Sequence, residues 1–420
     1  MKSQQASECG LHQFPSRAPM RSLLLFLLLV PTLLFYSKLA SSMALGTALV
    51  ACIAIFVLVL LDPPVRVRAR AFKWITIIVG VITVHAVVAS AFTPIDYPKA
   101  LGSLFILIIC LAGSAAMADL LAASTTDELV KAARLCLAVF WLVGMLGCAG
   151  LAQVASGDYP KPVFPFTEPS HLAVTVAPLL IFGCVTSGGM RRVFYIGSFL
   201  IIAAVLQNVT LVAACLIAAA VCIPLRYIFV LLLAGTPLLL NADLSYYLDR
   251  LDFSDQNQNL SALVFVQGWQ FIAEAWTRTH GIGYGFQQLG TTESGSAAGY
   301  LIYAILGQNL NVFDGGFTLS KLVSEGGLLG LLLATLYAIK AATAIVFLRS
   351  VARAKRKADI LQVFSASVIA GYLLEMFIRG SGYFTPVGLL LISAIWIEQS
   401  ARARTLRSPS NCPNNIQEKY

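Results

Sequence analysis

The sequence predicts an all-α polytopic integral membrane protein of about twelve transmembrane helices, with one large external loop between the late helices. Composition is the first reason: 58% of the residues are hydrophobic, only 12% are charged, and the mean hydropathy is +0.81. Soluble domains carry roughly 25% charged residues, so this chain lies far outside the soluble range. The second reason is the order of the chain. Apolar runs follow one another, and a single long polar segment, Asn241–Gly316, interrupts them.

Each apolar run predicts one helix across the bilayer. A full span needs roughly 20 residues, and several runs here have about 15. The expected spans are Ser22–Tyr36, Leu39–Leu61, Trp74–Phe92, Ala100–Leu121, Ala132–Ala155, Leu172–Thr186, Val193–Leu206, Val209–Ile223, Tyr227–Leu240, Phe317–Phe347, Ile360–Phe377 and Pro386–Glu398. They divide the chain into a cytoplasmic tail (1–21), a first membrane bundle of about nine helices (22–240), an external loop (241–316), C-terminal membrane helices (317–398) and a second tail (399–420).

The distribution of lysine and arginine sets the orientation of these spans. Cytoplasmic segments of membrane proteins are enriched in both residues, and a cytoplasmic amino terminus fits that rule here. The external segments then hold only seven of the 29 lysines and arginines: Lys38, Lys99, Lys161, Arg250, Arg278, Lys321 and Arg379. Both termini are cytoplasmic in this topology. Because it also explains the net charge of +9, we expect no nucleic-acid partner.

The cysteines and the glycine-rich run predict neither a metal nor a cofactor. The nine cysteines lie in apolar runs or in the tails, outside the polar segments, and show no C-x-x-C spacing. The GIGYG run, Gly281–Gly285, lacks the strand–helix context of a nucleotide-binding loop, and an external site has no ATP or nucleotide sugar. We therefore interpret these residues as the glycines of a turn.

Two polar segments, Ser156–His171 and Asn241–Gly316, fall on the external side of this topology. A reaction that joins sugars there needs a donor already attached to lipid as a polyprenyl diphosphate. Such a site requires cations for the diphosphate, a carboxylate or histidine that accepts the proton of the incoming hydroxyl, and aromatic side chains for the sugar faces.

The sequence FPFTEPSH, residues 164–171, offers the candidate base. Prolines stiffen the approach to it and disfavour helix before Ser170, which is expected to cap the next helix. Glu168 then lies just before a helix at the membrane surface. There it either serves as a base or only complements the helix dipole. His171 and His280 are the alternative bases.

The aromatic residues of the large loop fall on one face of a predicted helix. Phe265, Trp269, Ile272 and Trp276 recur at helical spacing, while the glutamines and the glutamate of the segment lie off that face. The pattern is typical of an amphipathic helix at the membrane interface, with tryptophans at headgroup depth; a platform that stacks sugars is the alternative. The candidate contacts to sugar or to the interface are Trp269, Trp276, Tyr284 and Asp314.

Five external cations are candidates for the diphosphate. They are Lys161, Arg250, Arg278, Lys321 and Arg379. Arginine suits this role because its guanidinium binds phosphate oxygens through two donors. Three of them also have a simpler explanation: Arg250 lies between two aspartates, Lys321 precedes Glu325 by four residues, and Arg379 could reach lipid headgroups.

Three motifs resemble those of the Wzy-type polymerases of O-antigen and exopolysaccharide repeat units. FPFTEPSH is similar to the F-x-x-EPS motif that precedes a span in that family, and the late loop with its GIGYGF run is similar to the family's large loop. DGGFTLSKLVSEGGLLG, residues 314–330, resembles the D-x-x-F…E-x-G-x-x-G start of the following helix. The resemblance covers the architecture of the whole chain but only short motifs.

The resemblance implies a metal-independent glycosyltransferase that joins undecaprenyl-diphosphate-linked oligosaccharide repeat units on the external face of the bacterial inner membrane. Its partners would be the lipid bilayer and the chain-length regulator and flippase of the same pathway. The related O-antigen ligases carry a histidine near residues 313–317, where this chain has none, and that difference favours a polymerase. The arginine-x10-glycine pattern of some polymerases is absent, because Ser261 follows Arg250 and Leu289 follows Arg278 at that spacing.

The sequence thus leads to a hypothesis of inverting glycosyl transfer. Glu168 accepts the proton of the acceptor hydroxyl, with His171 or His280 as alternatives, while the arginines at 250, 278 and 379 hold the departing diphosphate. An O-antigen ligase, a lipid-linked oligosaccharide flippase and a non-catalytic scaffold of polysaccharide assembly remain the alternatives. A flippase is expected to carry charged residues within its spans and to need no long external loop.

Overall fold

The computed structural model describes residues 20–61, 69–151, 163–224, 258–291, 295–353 and 358–407. Within these ranges the protein is all-helical, and the only β-type contact is an isolated bridge between Val163 and Phe166. The predicted all-α class is therefore confirmed. The predicted span Tyr227–Leu240, residues 1–19 of the first tail and residues 408–420 of the second tail lie outside the described residues.

Fourteen helices follow one another in the described ranges. They are α1 (Met20–Tyr36), α2 (Met43–Leu61), α3 (Ala69–Ala89), α4 (Tyr97–Ala123), α5 (Thr126–Cys148), α6 (Pro169–Val185), α7 (Gly189–Val205), α8 (Val209–Cys222), α9 (Leu260–Arg278), α10 (Ala297–Leu306), α11 (Thr318–Ala352), α12 (Ile360–Gly371), α13 (Leu373–Phe377) and α14 (Pro386–Arg407). Every predicted span within the described residues coincides with one of these helices or, for the span at 360–377, with the pair α12 and α13.

Six candidate spans are long and apolar enough to cross a membrane, counted over the part of the chain that the structure describes. These are α2, α3, α4, α5, α11 and the α12–α13 pair. Shorter apolar helices lie at Leu23–Tyr36, Pro169–Val185, Val209–Cys222, Ala297–Leu306 and Pro386–Ser400. The membrane character of the chain thus rests on several long apolar helices, and the count of about twelve spans stays a prediction.

Helix α6 lies at the centre of the bundle. Each of its residues from Leu172 to Val185 is buried, and it packs against α5, α8 and α12. A helix that is apolar on all sides is suited to such a position. At its crossing with α12, Gly371 permits a close approach, because a side chain there would meet the backbone of Pro178 at 2.6 Å.

The connecting segments meet at two ends of the bundle. One end gathers the segments that the lysine and arginine distribution assigns to the external side. The contacts that join them are the Tyr36 and Phe164 rings (5.2 Å between centroids), Thr47 Oγ1 with the Phe384 carbonyl (3.1 Å), the Asp96 amide with Gln288 Oε1 (2.8 Å) and the Gly380 amide with the Gly316 carbonyl (3.0 Å).

The other end joins segments assigned to the cytoplasm. Arg192 donates hydrogen bonds to the carbonyls of Cys184, Ser187 and Cys222, and Arg349 donates to the carbonyl of Ala220. The grouping of segments at the two ends agrees with the predicted alternation of the spans. Which end faces outward stays a prediction.

Helix α9 packs most closely at Gly268, and its predicted position at the membrane interface stays a prediction. Its buried residues include Gln267, Gly268 and Phe271, whereas Trp269 and Trp276 are 47% and 42% exposed. The reason is Gly268: a side chain there would lie 2.5 Å from the Phe317 ring and 2.6 Å from the Gly315 carbonyl, so the α9 backbone approaches the turn before α11 closely at this point.

Helix α11 is broken at Gly327, whose φ is 55° and ψ is −130°. The GIGYG run fills the break. The amides of Tyr284 and Gly285 donate to the carbonyls of Ser324 and Glu325, each at 2.9 Å, and Leu328 donates back to Gly281 at 2.8 Å. The three glycines of the run have positive φ angles, which glycine adopts without strain, so they are turn glycines as predicted.

Candidate active site

The site forms where the start of α6 meets the segment between α13 and α14. Glu168 is the residue before α6, and the helix begins at Pro169, whose missing amide hydrogen costs nothing at a first helical position. Arg379 comes just after α13, and its backbone amide is bonded to the Leu374 carbonyl at 2.9 Å. The fold thus brings together a carboxylate and a guanidinium that lie 211 residues apart in sequence.

Glu168 and Arg379 form an ion pair through a single nitrogen. Arg379 Nη2 lies 2.9 Å from Oε1 and 2.8 Å from Oε2 of the carboxylate. The Ser170 hydroxyl donates a third hydrogen bond to Oε2 at 2.9 Å. Ser170 was expected to precede and cap the helix. The helix instead begins at Pro169, so Ser170 lies inside its first turn and donates its hydrogen bond to Glu168.

The environment of Glu168 keeps it ionised. Burial by itself raises the pKa of this carboxyl, but the positive charge of Arg379, together with His171 and the Ser170 hydroxyl, lowers the pKa to about 2. The side chain is nevertheless 44% exposed, against 16% for Arg379. Glu168 stands directly before α6 and accepts no hydrogen bond from an amide of the helix start, so its interaction with the helix dipole is one of charge alone.

His171 lies beside this pair and joins the two segments. Its Nδ1 is 3.0 Å from Thr167 Oγ1, and its Nε2 is 3.1 Å from Ser381 Oγ. Both imidazole nitrogens therefore have hydroxyl partners, and the hydroxyl rotors accommodate either tautomer. His171 is held in place by both partners, which suits a residue that orients the site or relays a proton.

Asp314 approaches the same segment from the turn before α11. A side chain at Gly382 would lie 2.8 Å from Asp314 Oδ1, and the Gly380 amide is bonded to the Gly316 carbonyl. The predicted contact residue Asp314 thus lies next to the loop that carries Arg379. These glycines let the two turns approach within hydrogen-bonding distance.

Lys321 forms a buried ion pair with Glu325 behind this turn. Nζ lies 3.0 Å from Oε1, both side chains are only 2% exposed, and Nζ also donates to the Phe313 carbonyl. Glu325 further accepts hydrogen bonds from the amides of Gln287 (2.9 Å) and Leu289 (3.2 Å). The local pair, one of the two predicted roles of Lys321, is therefore present, and it fastens residues 287–289 to α11.

Tyr383 covers the buried pair on the side of the Arg379 loop. Its ring stacks on Phe286 with 5.9 Å between centroids and an interplanar angle of 7°, and Lys321 Nζ lies 5.3 Å from the ring centroid. Burial raises the pKa of Tyr383 well above its usual value, and the negative charge of the nearby Glu325 carboxylate raises it further. Tyr383 thus connects the predicted diphosphate segment to the glycine-rich turn.

Lys99 is a further cation at this end of the bundle. It stands at the start of α4, and its Nζ lies 4.4 Å from the centroid of the Phe313 ring. This ammonium is buried and has no hydrogen-bond partner among the described residues. Since an unpartnered buried ammonium is costly, the arrangement suits a residue whose partner arrives with an anionic ligand.

The remaining described candidates lie along α9 and its exit. Arg278 pairs with Glu274 at 2.8 Å, and burial raises the pKa of the neighbouring Tyr284 to about 12. Trp269 packs against Phe317 at 5.5 Å, and Trp276 lies beside Gly281. His280 packs against Phe92 with 6.3 Å between ring centroids. None of these residues shares a hydrogen bond with Glu168, His171 or Arg379.

Two candidates fall on parts of the chain that the structure does not describe: Lys161 and Arg250 lie outside the described residues. Within the described ranges, no group of three or more histidine, cysteine, aspartate or glutamate side chains is placed to hold a metal ion. The absence of a metal or cofactor requirement stays a prediction.

Sequence reasoning missed Ser381, Tyr383 and Lys99 as site residues. The first two lie in the polar connector GSGYFTP, where only Arg379 stood out by its charge. Lys99 carried the same signal as Arg379, a single cation at the predicted outer end of a span, and it was counted only among the external cations. Asp96 caps α4 through the Lys99 backbone amide, not through the ammonium.

The sequence matches no family model and no curated protein. What the site does is therefore inferred from its residues and their geometry. It combines an ionised carboxylate, a guanidinium, an imidazole with two hydroxyl partners and an unpartnered ammonium at one end of an apolar bundle. This set can bind an anion and accept a proton next to it.

Proposed function

We propose that the protein is a membrane glycosyltransferase that polymerises undecaprenyl-diphosphate-linked oligosaccharide repeat units into O-antigen or exopolysaccharide. The observation that carries the proposal is the contact of Glu168 with Arg379, with His171 beside it. This transfer needs two groups: a base for the acceptor hydroxyl on one face of the anomeric carbon and a cation for the leaving diphosphate on the opposite face. The resemblance of the FPFTEPSH and DGGF motifs to Wzy-type polymerases supports the same reaction.

The proposed reaction is a single displacement at the anomeric carbon of the donor sugar. The O–H bond of the acceptor hydroxyl breaks, and its proton passes to the Glu168 carboxylate. The acceptor oxygen bonds the anomeric carbon while the bond from that carbon to the diphosphate oxygen breaks. The electron pair of that bond leaves with the diphosphate, and Arg379 stabilises its negative charge. The anomeric configuration inverts.

The proposed setting is the external face of the bacterial inner membrane. In the proposed topology about twelve spans place both termini in the cytoplasm and residues 241–316 outside. The donor then reaches the site from the bilayer with its polyprenyl chain among lipids. A chain-length regulator and a flippase of the same pathway are the proposed protein partners.

A lipid-linked oligosaccharide flippase is the second candidate, because charged side chains occur within the candidate membrane helices. Lys321 and Glu325 are buried in α11, and Lys340 of the same helix pairs with Glu398 of α14. Ionisable residues inside membrane spans often mark transport pathways. Glu325 also accepts hydrogen bonds from the amides of residues 287 and 289, so the Lys321–Glu325 pair has a structural role and not one in transport.

One experiment separates these functions. The purified protein is given repeat units linked to undecaprenyl diphosphate, and the products are separated by size. A polymerase yields a ladder of lipid-linked products and releases undecaprenyl diphosphate, whereas a flippase in vesicles changes the accessibility of the units without changing their length. A deletion strain gives the matching phenotype: single-repeat caps for a polymerase, uncapped lipid for a ligase, and internal accumulation of lipid-linked units for a flippase.

A further inference from the structure

We propose that Arg379 exchanges partners during the reaction: the diphosphate of the donor draws it from Glu168, and this exchange frees the carboxylate to act as the base. The inference rests on the proposed function and deepens it. It predicts that the donor binds before the acceptor is activated. The Arg379–Glu168 ion pair keeps Glu168 a weak base in the resting protein, and only the binding of a donor breaks this pair.

The first support is that Arg379 uses only some of its hydrogen-bond donors in the resting protein. A guanidinium has five N–H donors, and Arg379 directs only Nη2 at Glu168, with both oxygens sharing that nitrogen. Its Nε is buried and has no hydrogen-bond partner among the described residues. Two oxygens of a diphosphate can engage two nitrogens of the planar guanidinium at once, which the resting contact with Glu168 does not do.

The second support is that the resting carboxylate is a poor base. Glu168 already accepts bonds from Arg379 and Ser170, and these groups stabilise its charged form. The other charged or titratable groups that face it are His171 on α6 and, through His171, Asp314 on the turn before α11. Because its pKa is about 2, Glu168 binds a proton weakly until the charge of Arg379 is neutralised by another anion.

The third support is that the exchange needs only a side-chain movement. The backbone of the loop is fixed, since the Arg379 amide bonds Leu374 and the Gly380 amide bonds Gly316. Space behind Gly380 is also closed, because a side chain there would lie 2.7 Å from the Thr318 amide nitrogen. The long arginine side chain can rotate about its own bonds from a carboxylate that is 44% exposed toward a ligand on the open side.

The exchange completes the proton balance of the reaction. With Arg379 bound to the diphosphate, the acceptor proton is transferred to Glu168 as the carbon–oxygen bond to the donor breaks. The released diphosphate then departs with its charge, the glutamic acid loses its proton to solvent, and Arg379 returns to the carboxylate. Each turnover thus restores the resting ion pair.

Infrared spectroscopy of the full-length protein in nanodiscs tests this exchange. The protonated carboxyl of Glu168 is followed as the difference between the wild-type protein and Glu168→Gln across a pH titration. Farnesyl diphosphate serves as the probe, and farnesol, which has the same chain without the diphosphate, serves as the control. We expect the diphosphate to raise the titration midpoint of Glu168 by about 1 to 3 pH units and farnesol to leave it unchanged.

A second variant keeps the test decisive. In Arg379→Gln the midpoint should already be raised without ligand and should no longer respond to the diphosphate. If farnesyl diphosphate binds the wild-type protein, measured by calorimetry, and leaves the midpoint unchanged, the exchange is wrong even where the wild-type protein makes a product ladder. If the diphosphate does not bind, the exchange is wrong as well. Absence of the ladder is what overturns the proposed function, so the two failures are distinguishable.

Discussion

Replacing Glu168 by glutamine separates its chemical role from its structural one. Glutamine has the shape of glutamate, and its carbonyl oxygen still accepts a hydrogen bond from Arg379, but it does not take up a proton at neutral pH. Because Glu168 is 44% exposed, its ion pair is screened by solvent and is worth at most about 1 kcal/mol to the fold. We therefore expect the variant to insert and fold at normal abundance.

The effect on rate should be far larger than the effect on stability. A general base contributes about a hundredfold to ten-thousandfold, so Glu168→Gln should lose nearly all of the product ladder from purified protein and lipid-linked repeat units. Glu168→Asp should fall between, because its reach is one methylene shorter. Ser170→Ala is the matched control. It removes one hydrogen bond to the carboxylate but leaves the carboxylate and Arg379, and should cost about tenfold or less.

The acid dependence of unfolding supplies an independent check. A carboxyl whose pKa is lowered in the folded protein stabilises the fold above its unfolded value of 4.5, and this contribution is lost as the pH falls toward the folded value of about 2. Wild-type protein should therefore lose stability relative to Glu168→Gln between these two pH values.

A full ladder from Glu168→Gln at the wild-type rate would refute the role as base and transfer it to His171, His280 or Asp314.

Four further predictions concern the cations and the topology. Arg379→Gln should lower the rate of transfer about a hundredfold, while Arg379→Lys keeps part of it; a normal polymer yield from the glutamine variant would contradict the diphosphate role. Lys99→Gln should raise the KM for the lipid donor about tenfold with less effect on kcat, and Lys99→Arg should preserve it. Glu325→Gln should destabilise the protein by about 3 kcal/mol or more in a thermal-unfolding assay because it leaves Lys321 buried without its counter-ion, and combining it with Lys321→Met should restore stability. In a variant without the nine native cysteines, a cysteine at Thr291 should react with an impermeant maleimide in whole cells, and labelling only after permeabilisation would reverse the proposed orientation.

The helices were predictable from the sequence because burial in a bilayer leaves a strong signal in every apolar run. The predicted span Val209–Ile223 and the helix Val209–Cys222 differ by one residue. The run at 360–377 is correct in extent but contains a break at Tyr372 between two helices, which hydropathy does not register. Hydropathy measures the affinity of a segment for an apolar medium, and local changes of backbone direction leave that affinity unaltered.

The packing face of α9 was not predictable in the same way. Aromatic residues at helical spacing predicted an interfacial face with Trp269 and Trp276, but they did not predict that Gln267 and Gly268 are buried against the turn before α11. A close approach of two backbones depends on the absence of a side chain, and hydrophobic periodicity gives glycine no weight. The tryptophans remain partly exposed, as an interfacial position would require.

The pairing of Glu168 with Arg379 also lay beyond the sequence, although both residues were selected individually. Each was notable as a single charge at the predicted outer end of a span. Nothing local connects positions 211 residues apart; they meet because α6 and α12 cross closely at Gly371 and carry their outer ends together. The topology placed both residues on one side, and the packing of the helices then determined the contact.

The cations at this end of the bundle differ in how fully their nitrogens are hydrogen-bonded. Lys321 is buried and bonded to Glu325 and Phe313, so its ammonium is already satisfied without a ligand. Arg379 and Lys99 each retain a buried nitrogen without a partner among the described residues. Lys99 contacts the turn at residues 313–316 through the Phe313 ring, and Gly380, the residue after Arg379, bonds the Gly316 carbonyl. In the proposed reaction a diphosphate that engages both cations would lie along this turn, and the donor sugar would stand between it and Glu168, so that the base and the leaving group act on opposite faces of the anomeric carbon.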